Sequence, residues 1–382
     1  MGNKFGYMKQ IAMVDLIGQF KGIEDDVMHA FKEILNSASF INGPTVKSLS
    51  ANLAKYLNVN HALPCANGTD AIQIALMALN CQPGDEVITT PFTFVATAEV
   101  IALLGLKPVF VDVEYGTYNM DANLLQSAIN DKSHTIIPVH LFGQGCNMDS
   151  IMEVANNNNL KVVEDNAQSI GSSFTGISGT KTAYGAVGHI GTTSFYPAKN
   201  LGAYGDAGAL FTNDGELAAQ IQLVTNHGSN RRYYYDAIGV NSRLDSLQAA
   251  VLDLKLAKLD QYILNRQKAA AYYDNELAEV EGLLIPERAS YSEHVFHQYT
   301  MRITNGKRDE LKEHLSNHKI PSMIYYPVPL HLSSAYAKYG YSKGDFPVSE
   351  KLAEEVISLP MHTELEEEQL QYITKTVKEF FS

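Results

Sequence analysis

Short apolar runs recur along the first half of the chain, at 61–65, 87–90, 108–113, 135–139, 160–164 and 190–195. Each ends near small or polar residues and gives way to a stretch of helical character. Runs of this length and composition predict buried strands. Strand and helix in alternation predict a mostly parallel sheet with helices on both faces. Before the first strand the pattern predicts a helix over 23–36, a turn at Ile41-Asn42-Gly43-Pro44 and a second amphipathic helix to about 57. After the last of the six, 209–212 reads as a returning strand and 215–223 as a helix. The stretch 173–188 is rich in turns and has no clear period. Positions 244–277 are strongly amphipathic and predict one long helix. Beyond it, short strands such as 298–303 mix with helices such as 308–318. We therefore expect an N-terminal arm over 1–20, a large domain over 21–255 and a smaller α+β domain over 256–382.

In a parallel sheet of this kind ligands sit beyond the carboxyl ends of the strands. Three of the predicted strand ends carry candidate chemistry. The first runs into Ala66-Asn67-Gly68-Thr69-Asp70 and then into an apolar helix. Backbone N–H groups at such a helix start attract anions, phosphate above all; an ordinary cap by Asn67 or Thr69 explains the same residues. The strand at 160–164 runs into Asp165-Asn166-Ala167-Gln168, where the acid either faces the ligand crevice or caps a helix. The third delivers Ser194 and, five residues on, Lys199, followed by Gly202, Gly205, Asp206 and Gly208. A lone lysine in a glycine-rich turn is more often a solvated surface residue. Held in a pocket, its amine becomes a nucleophile for a carbonyl.

Composition narrows the classes. The 382 residues carry 29 basic and 42 acidic side chains, a net charge of −13, which argues against nucleic acid as a partner. No apolar run reaches the ~18 residues of a membrane span, and 1–16 lacks the apolar core of a signal peptide. Cys65, Cys81 and Cys146 are odd in number and widely spaced, so neither a disulfide framework nor a zinc site is expected. The scattered histidines, His227, His294, His297 and His331, suggest no metal cluster. The expectation is a soluble cytoplasmic protein with no membrane partner.

A lysine, an acid, a phosphate cradle at Gly68-Thr69 and Ser194, and an aromatic face at Phe94 together meet the demands of pyridoxal 5'-phosphate, an electron sink tuned by an acid at its ring nitrogen. The motifs NGTDA (67–71), EDNAQ (164–168), SFYPAKN (194–200) and GVNSRL (239–244) resemble those of the DegT-type sugar aminotransferases, over nearly the whole chain. The resemblance implies the aspartate aminotransferase-like fold, PLP fold type I. It is strongest toward the branch acting on nucleotide-linked 3-oxo sugars, with glutamate as donor, 2-oxoglutarate as its product and an amino sugar for a surface polysaccharide as the outcome.

By that resemblance Lys199 would hold the cofactor through its amine. Asp165 would keep the ring nitrogen protonated, Gln168 would contact the phenolic oxygen, and Phe94 would stack on the ring. Gly68, Thr69 and Ser194 would bind phosphate, and Asn241 would reach it from a second subunit, implying a homodimer with shared sites. Arg243 could meet a carboxylate of the uronate or of glutamate, or pair structurally with Asp245. Tyr325 and Tyr326 would face the sugar, in a Tyr325-Tyr326-Pro327 segment where a uronate-acting relative has histidine before its tyrosine. Ala207 stands where the family often has a further glycine. Two other readings compete: a sugar dehydratase, in which histidine replaces the lysine, and a cofactor-binding regulator without catalysis. A dinucleotide site at Gly202, Gly205 and Gly208 fails, because the expected βαβ spacing and acid are missing.

Overall fold

A computed structural model describes residues 9–382; positions 1–8 of the expected arm lie outside the described residues. Helices α1 (Leu16–Lys21), α2 (Glu24–Ser37) and α3 (Pro44–Leu57) lead into β1 (His61–Cys65) and α4 (Gly68–Ala78). Then follow β2 (Glu86–Thr89), α5 (Ala96–Leu103), β3 (Lys107–Phe110), α6 (Leu125–Ala128), β4 (Ser133–Ile136), α7 (Met148–Asn157) and β5 (Lys161–Asp165). A hairpin of β6 (Ser173–Thr175) and β7 (Lys181–Ala183) precedes β8 (Ile190–Ser194), β9 (Gly208–Thr212) and α8 (Gly215–Thr225).

The large sheet has seven strands in the order β1-β9-β8-β5-β4-β2-β3. Every neighbouring pair is parallel except the two that β9 makes, with β1 and β8. Strands β2 and β9 are buried along their whole length, as strands covered on both faces are. Because only β9 runs backward, the carboxyl ends of β1, β2, β5 and β8 share one edge. That edge collects the three candidate stretches.

Helix α3 lays Leu49, Leu53 and Leu57, one residue per turn, onto α9 (Ser246–Leu256). Each buried leucine contributes on the order of 1.5–3 kcal/mol of apolar burial. The long helix expected over 244–277 is in fact two helices. Helix α9 stops at Leu256, and α10 (Leu259–Leu277) starts after a turn at Ala257 and Lys258. No proline or glycine marks this break. It lets α9 pack on α3 while α10 turns its buried face, including Ala270, Tyr273 and Leu277, to another cluster. That second cluster lies under a three-stranded antiparallel sheet of β10 (Leu283–Leu284), β11 (Tyr299–Ile303) and β12 (Val356–Leu359). Helices α11 (Arg308–Asn317), α12 (Pro347–Glu355) and α13 (Glu367–Phe381) complete this part of the chain. Ile11, from the expected arm, is buried in the same cluster. None of the helices of the described residues is long and apolar enough to cross a membrane.

Candidate active site

At the carboxyl edge of the large sheet lies a cavity of about 910 Å³. One wall is the start of α4. Asn67 caps this helix, its side chain accepting from Asp70 N at 2.8 Å, and its carbonyl accepts from Ala71 N at 3.1 Å. The cap reading is therefore correct, and it still leaves the N–H groups of Gly68 and Thr69 without a protein acceptor among the described residues. Two free N–H groups at a helix start form an anion site. Gly68 is required there by contact: a Cβ added to it would lie 2.5 Å from Ser194 Cβ. The serine hydroxyl accepts from Tyr196 N at 3.2 Å and lines the same cavity.

Opposite this cradle, Asp165 ends β5 and is almost fully buried. Its Oδ2 accepts a 2.7 Å hydrogen bond from Thr97 Oγ1 on α5, and its Oδ1 accepts from Ala167 N at 3.2 Å. Each oxygen keeps lone pairs for a donor in the cavity. Gln168 is held by accepting from Phe142 N at 2.8 Å and donating to Tyr326 Oη at 3.3 Å. The rings of Phe94 and Tyr326 sit 6.4 Å apart at 43°.

Lys199 follows β8 in a turn held by its own N–H donating to Tyr196 O at 2.8 Å. The next residue, Asn200, is buried and donates to Val295 O at 3.0 Å, tying the turn to the segment before β11. The glycines after it serve close packing: a Cβ on Gly202 would clash with Pro197 O, and one on Gly208 with Asn67 O. Ala207, in place of a further glycine, is buried and its carbonyl accepts from Phe195 N at 2.8 Å. The Lys199 amine lines the cavity, and burial pushes its pKa down to about 8, against the opposing pull of the Asp165 carboxylate. A solvated surface lysine is excluded by this placement.

All the residues to which the resemblance gives a role line this cavity except Asn241 and Arg243. Asn241 is exposed, in a backbone bridge with Asn226. Arg243 is half-buried and lines a separate groove with Lys47 and His61. It makes no ion pair with Asp245 or any other acid among the described residues. Tyr325 and Tyr326 line the cavity and are joined by a cis peptide bond.

Sequence reading missed three polar residues here. Thr97 lies 68 positions from the carboxylate it bonds. Thr93 lines the cavity with a buried hydroxyl that has no partner among the described residues. His297 lines it too, with an enclosed and likewise unpartnered Nδ1. Thr93, between Phe92 and Phe94 just after β2, had that placement at a strand end as its available signal.

The free N–H pair, the cradle that only glycine permits, the orphaned Thr93 hydroxyl and an amine of lowered pKa in one cavity with a carboxylate fit a phosphorylated aldehyde with a basic ring nitrogen. Comparison with known proteins gives the same direction. The DegT/DnrJ/EryC1/StrS aminotransferase family matches residues 21–378. The chain belongs to that family. Its enzymes are pyridoxal phosphate-dependent sugar aminotransferases. Among its relatives, a pleiotropic regulatory protein of Geobacillus stearothermophilus is 45% identical over 97% of this chain and 98% of its own. UDP-2-acetamido-2-deoxy-3-oxo-D-glucuronate aminotransferase of Pseudomonas aeruginosa is 43% identical over 95% and 98%. Among solved structures, DesV of S. venezuelae in complex with a ketimine intermediate superposes with a TM-score of 0.94 at 36% identity, covering 98% of this chain and 99% of that one. The aspartate aminotransferase-like α/β fold, with its mostly parallel sheet, is thus the fold of this chain.

Proposed function

We propose that this chain transfers an amino group from glutamate to a nucleotide-linked keto sugar, at a 3-oxo position, to make an amino sugar for a surface glycan. The observation that carries the reading is Lys199: a half-buried lysine whose amine pKa is lowered to about 8, in one cavity with Asp165 and an anion cradle. The 43% identity to an enzyme named for a 3-oxo uronate sugar supports the substrate class.

In this reading Gly68, Thr69 and Ser194 bind the cofactor's phosphate and Asp165 holds a proton on its ring nitrogen. Phe94 covers the ring face and Gln168 meets its phenolic oxygen. Bound there, pyridoxal phosphate supplies an electron sink for the carbanion at the amino-bearing carbon. Lys199 Nζ takes the proton from the donor's α-carbon and returns it elsewhere, as general base and then acid. Thr97 keeps the Asp165 carboxylate in place for that role. Tyr325 and Tyr326 border the space left for the sugar.

The cavity lining contains no arginine among the described residues, yet both glutamate and a uronate present carboxylates. This supports a homodimer in which Asn241 and Arg243 enter the cavity of the other subunit. The exposed Tyr233, Tyr234, Tyr235 and Ile238, close before Asn241 in the chain, supply apolar surface for such an interface.

A second reading, a cofactor-binding regulator without turnover, is favoured by the name of the 45% identical relative. One experiment separates the two: glutamate with a panel of nucleotide-linked keto sugars, read by mass. An acceptor whose mass changes by the exchange of oxygen for an amino group establishes transfer. A visible band unchanged by glutamate, with no aminated product, establishes the regulator.

A further inference from the structure

We propose that Lys255 is a positioning residue: with Gln248, on the same face of α9, it clamps the turn that carries Lys199 and so aims that amine at the carbon it captures. The inference rests on the cofactor role given to Lys199 above, and deepens that reading.

Lys199 stands at the crest of a closed loop. Phe195 enters the loop and Ala203 leaves it, and Ala203 N donates to Phe195 O at 2.8 Å across the neck. Inside the loop Lys199 N donates to Tyr196 O at 2.8 Å. Gly202 lies so close to Pro197 O that a Cβ would clash with it. The outgoing limb therefore rests directly on the incoming one, and a displacement of Gly202 is passed to the residues beside Lys199.

Two side chains of α9 hold the outgoing limb. Lys255 Nζ donates to Gly202 O at 2.8 Å and lies 4.4 Å from the centre of the Tyr204 ring. Gln248, two turns earlier on the helix, accepts from Tyr204 N at 2.8 Å and donates to Tyr204 O at 3.4 Å. Helix α9 is itself packed against α2 and α3. On the other side Asn200 donates to Val295 O at 3.0 Å. Lys199 lies between these two anchorages.

The cost of Lys255 argues that anchorage is its use. It is 1% exposed, and no carboxylate pairs with it among the described residues. Burying a charged side chain without such a partner is unfavourable. Methionine would fill a similar volume with no charge to bury. Lys255 does not line the cavity, so no ligand there accounts for it. Its hydrogen-bond partner is the Gly202 carbonyl, and that carbonyl belongs to the loop of Lys199.

Aim matters to one step. Capture joins the Lys199 amine to the cofactor's aldehyde carbon with loss of one water, and such a step depends on how the reacting atoms are held. Phosphate binding at Gly68 and Thr69 does not depend on it. Pyridoxine 5'-phosphate separates the two, because it has the same ring and phosphate with an alcohol in place of the aldehyde.

The test titrates the full-length chain, freed of cofactor, with pyridoxal phosphate by its visible band and with pyridoxine phosphate by calorimetry. In Lys255→Met the affinity for the aldehyde falls about tenfold, while that for the alcohol stays at the parental value. Gln248→Ala shifts the same balance in the same direction, and carries the test alone if Lys255→Met does not fold. Folded variants that bind both compounds as the parent does would overturn the proposal. An equal loss for both compounds would overturn it too, since it would make these residues supports of the whole site. A parent that binds both compounds and develops no reducible band would sink the role of Lys199 first, and this proposal with it.

Discussion

Thr97 Oγ1 donates to Asp165 Oδ2 at 2.7 Å, in a site where both side chains are buried. The threonine stands in the first turn of α5, and the aspartate ends β5. The bond fixes the orientation of the carboxylate toward the cavity that Asp165 lines.

Removing the hydroxyl should therefore weaken whatever cation Asp165 holds. Thr97→Val keeps the shape of the side chain and deletes one charge-assisted bond, worth roughly 1.5–3 kcal/mol. We expect cofactor affinity to fall at least about tenfold, measured by absorbance titration, and Thr97→Ser to recover most of it.

The cradle makes a steric prediction. In Gly68→Ala the new methyl, at the start of α4, meets Ser194 Cβ at 2.5 Å, and that atom is fixed to the last residue of β8 rather than to the end of a flexible side chain. Overpacking of this kind costs roughly 1–3 kcal/mol. The variant should melt at a lower temperature and bind inorganic phosphate and cofactor more weakly than the parent; equal affinities would remove the phosphate role.

A pH dependence follows from two lysines of lowered pKa. Lys255 on α9 donates to Gly202 O at 2.8 Å, lies over the Tyr204 ring and has no carboxylate partner among the described residues. Burial pushes its pKa down to about 8, as it does for Lys199. The unfolded chain holds these protons up to the ordinary lysine value of 10.5, and the folded chain releases them from about pH 8. Between those values the unfolded state holds more protons, so stability rises with pH across the window. Lys255→Met removes one of the two contributions. In urea denaturation of the cofactor-free protein, the parent should gain stability relative to this variant from about pH 8 to about pH 10.

Shared sites predict complementation. Lys199→Ala and Asn241→Ala chains, each inactive alone, should regain activity when refolded together. Random pairing leaves one intact site in half of the dimers, so about one quarter of parental activity is expected. A mixture as inactive as its components would confine each site to one chain.

The parts of the site that lie within one strand-and-turn unit are legible in the sequence. Asn67 to Asp70, Asp165 with Gln168, and Ser194 with Lys199 each sit where a buried apolar run stops, and the stop itself is the signal. What depends on long-range packing is not legible there. Thr97 and His297 acquire their meaning only when α5 and the segment before β11 close over the strand ends. The break between α9 and α10 carries no proline or glycine, because it is set by the two different surfaces those helices cover. The hairpin of β6 and β7 is hidden by strands of three residues each. For Arg243, local sequence leaves a pairing with Asp245 and a carboxylate ligand equally open; the folded chain excludes the first among the described residues.

Two lysines share a depressed pKa, but only Lys199 lines the cavity, while Lys255 is engaged by the Gly202 carbonyl. The decisive measurement is to load the purified protein with pyridoxal phosphate, reduce it with borohydride and map the modified peptide by mass. The expected result is loss of the visible band and a single phosphopyridoxyl group on Lys199. A group on Lys255, or a protein that takes up no reducible cofactor, would contradict the account.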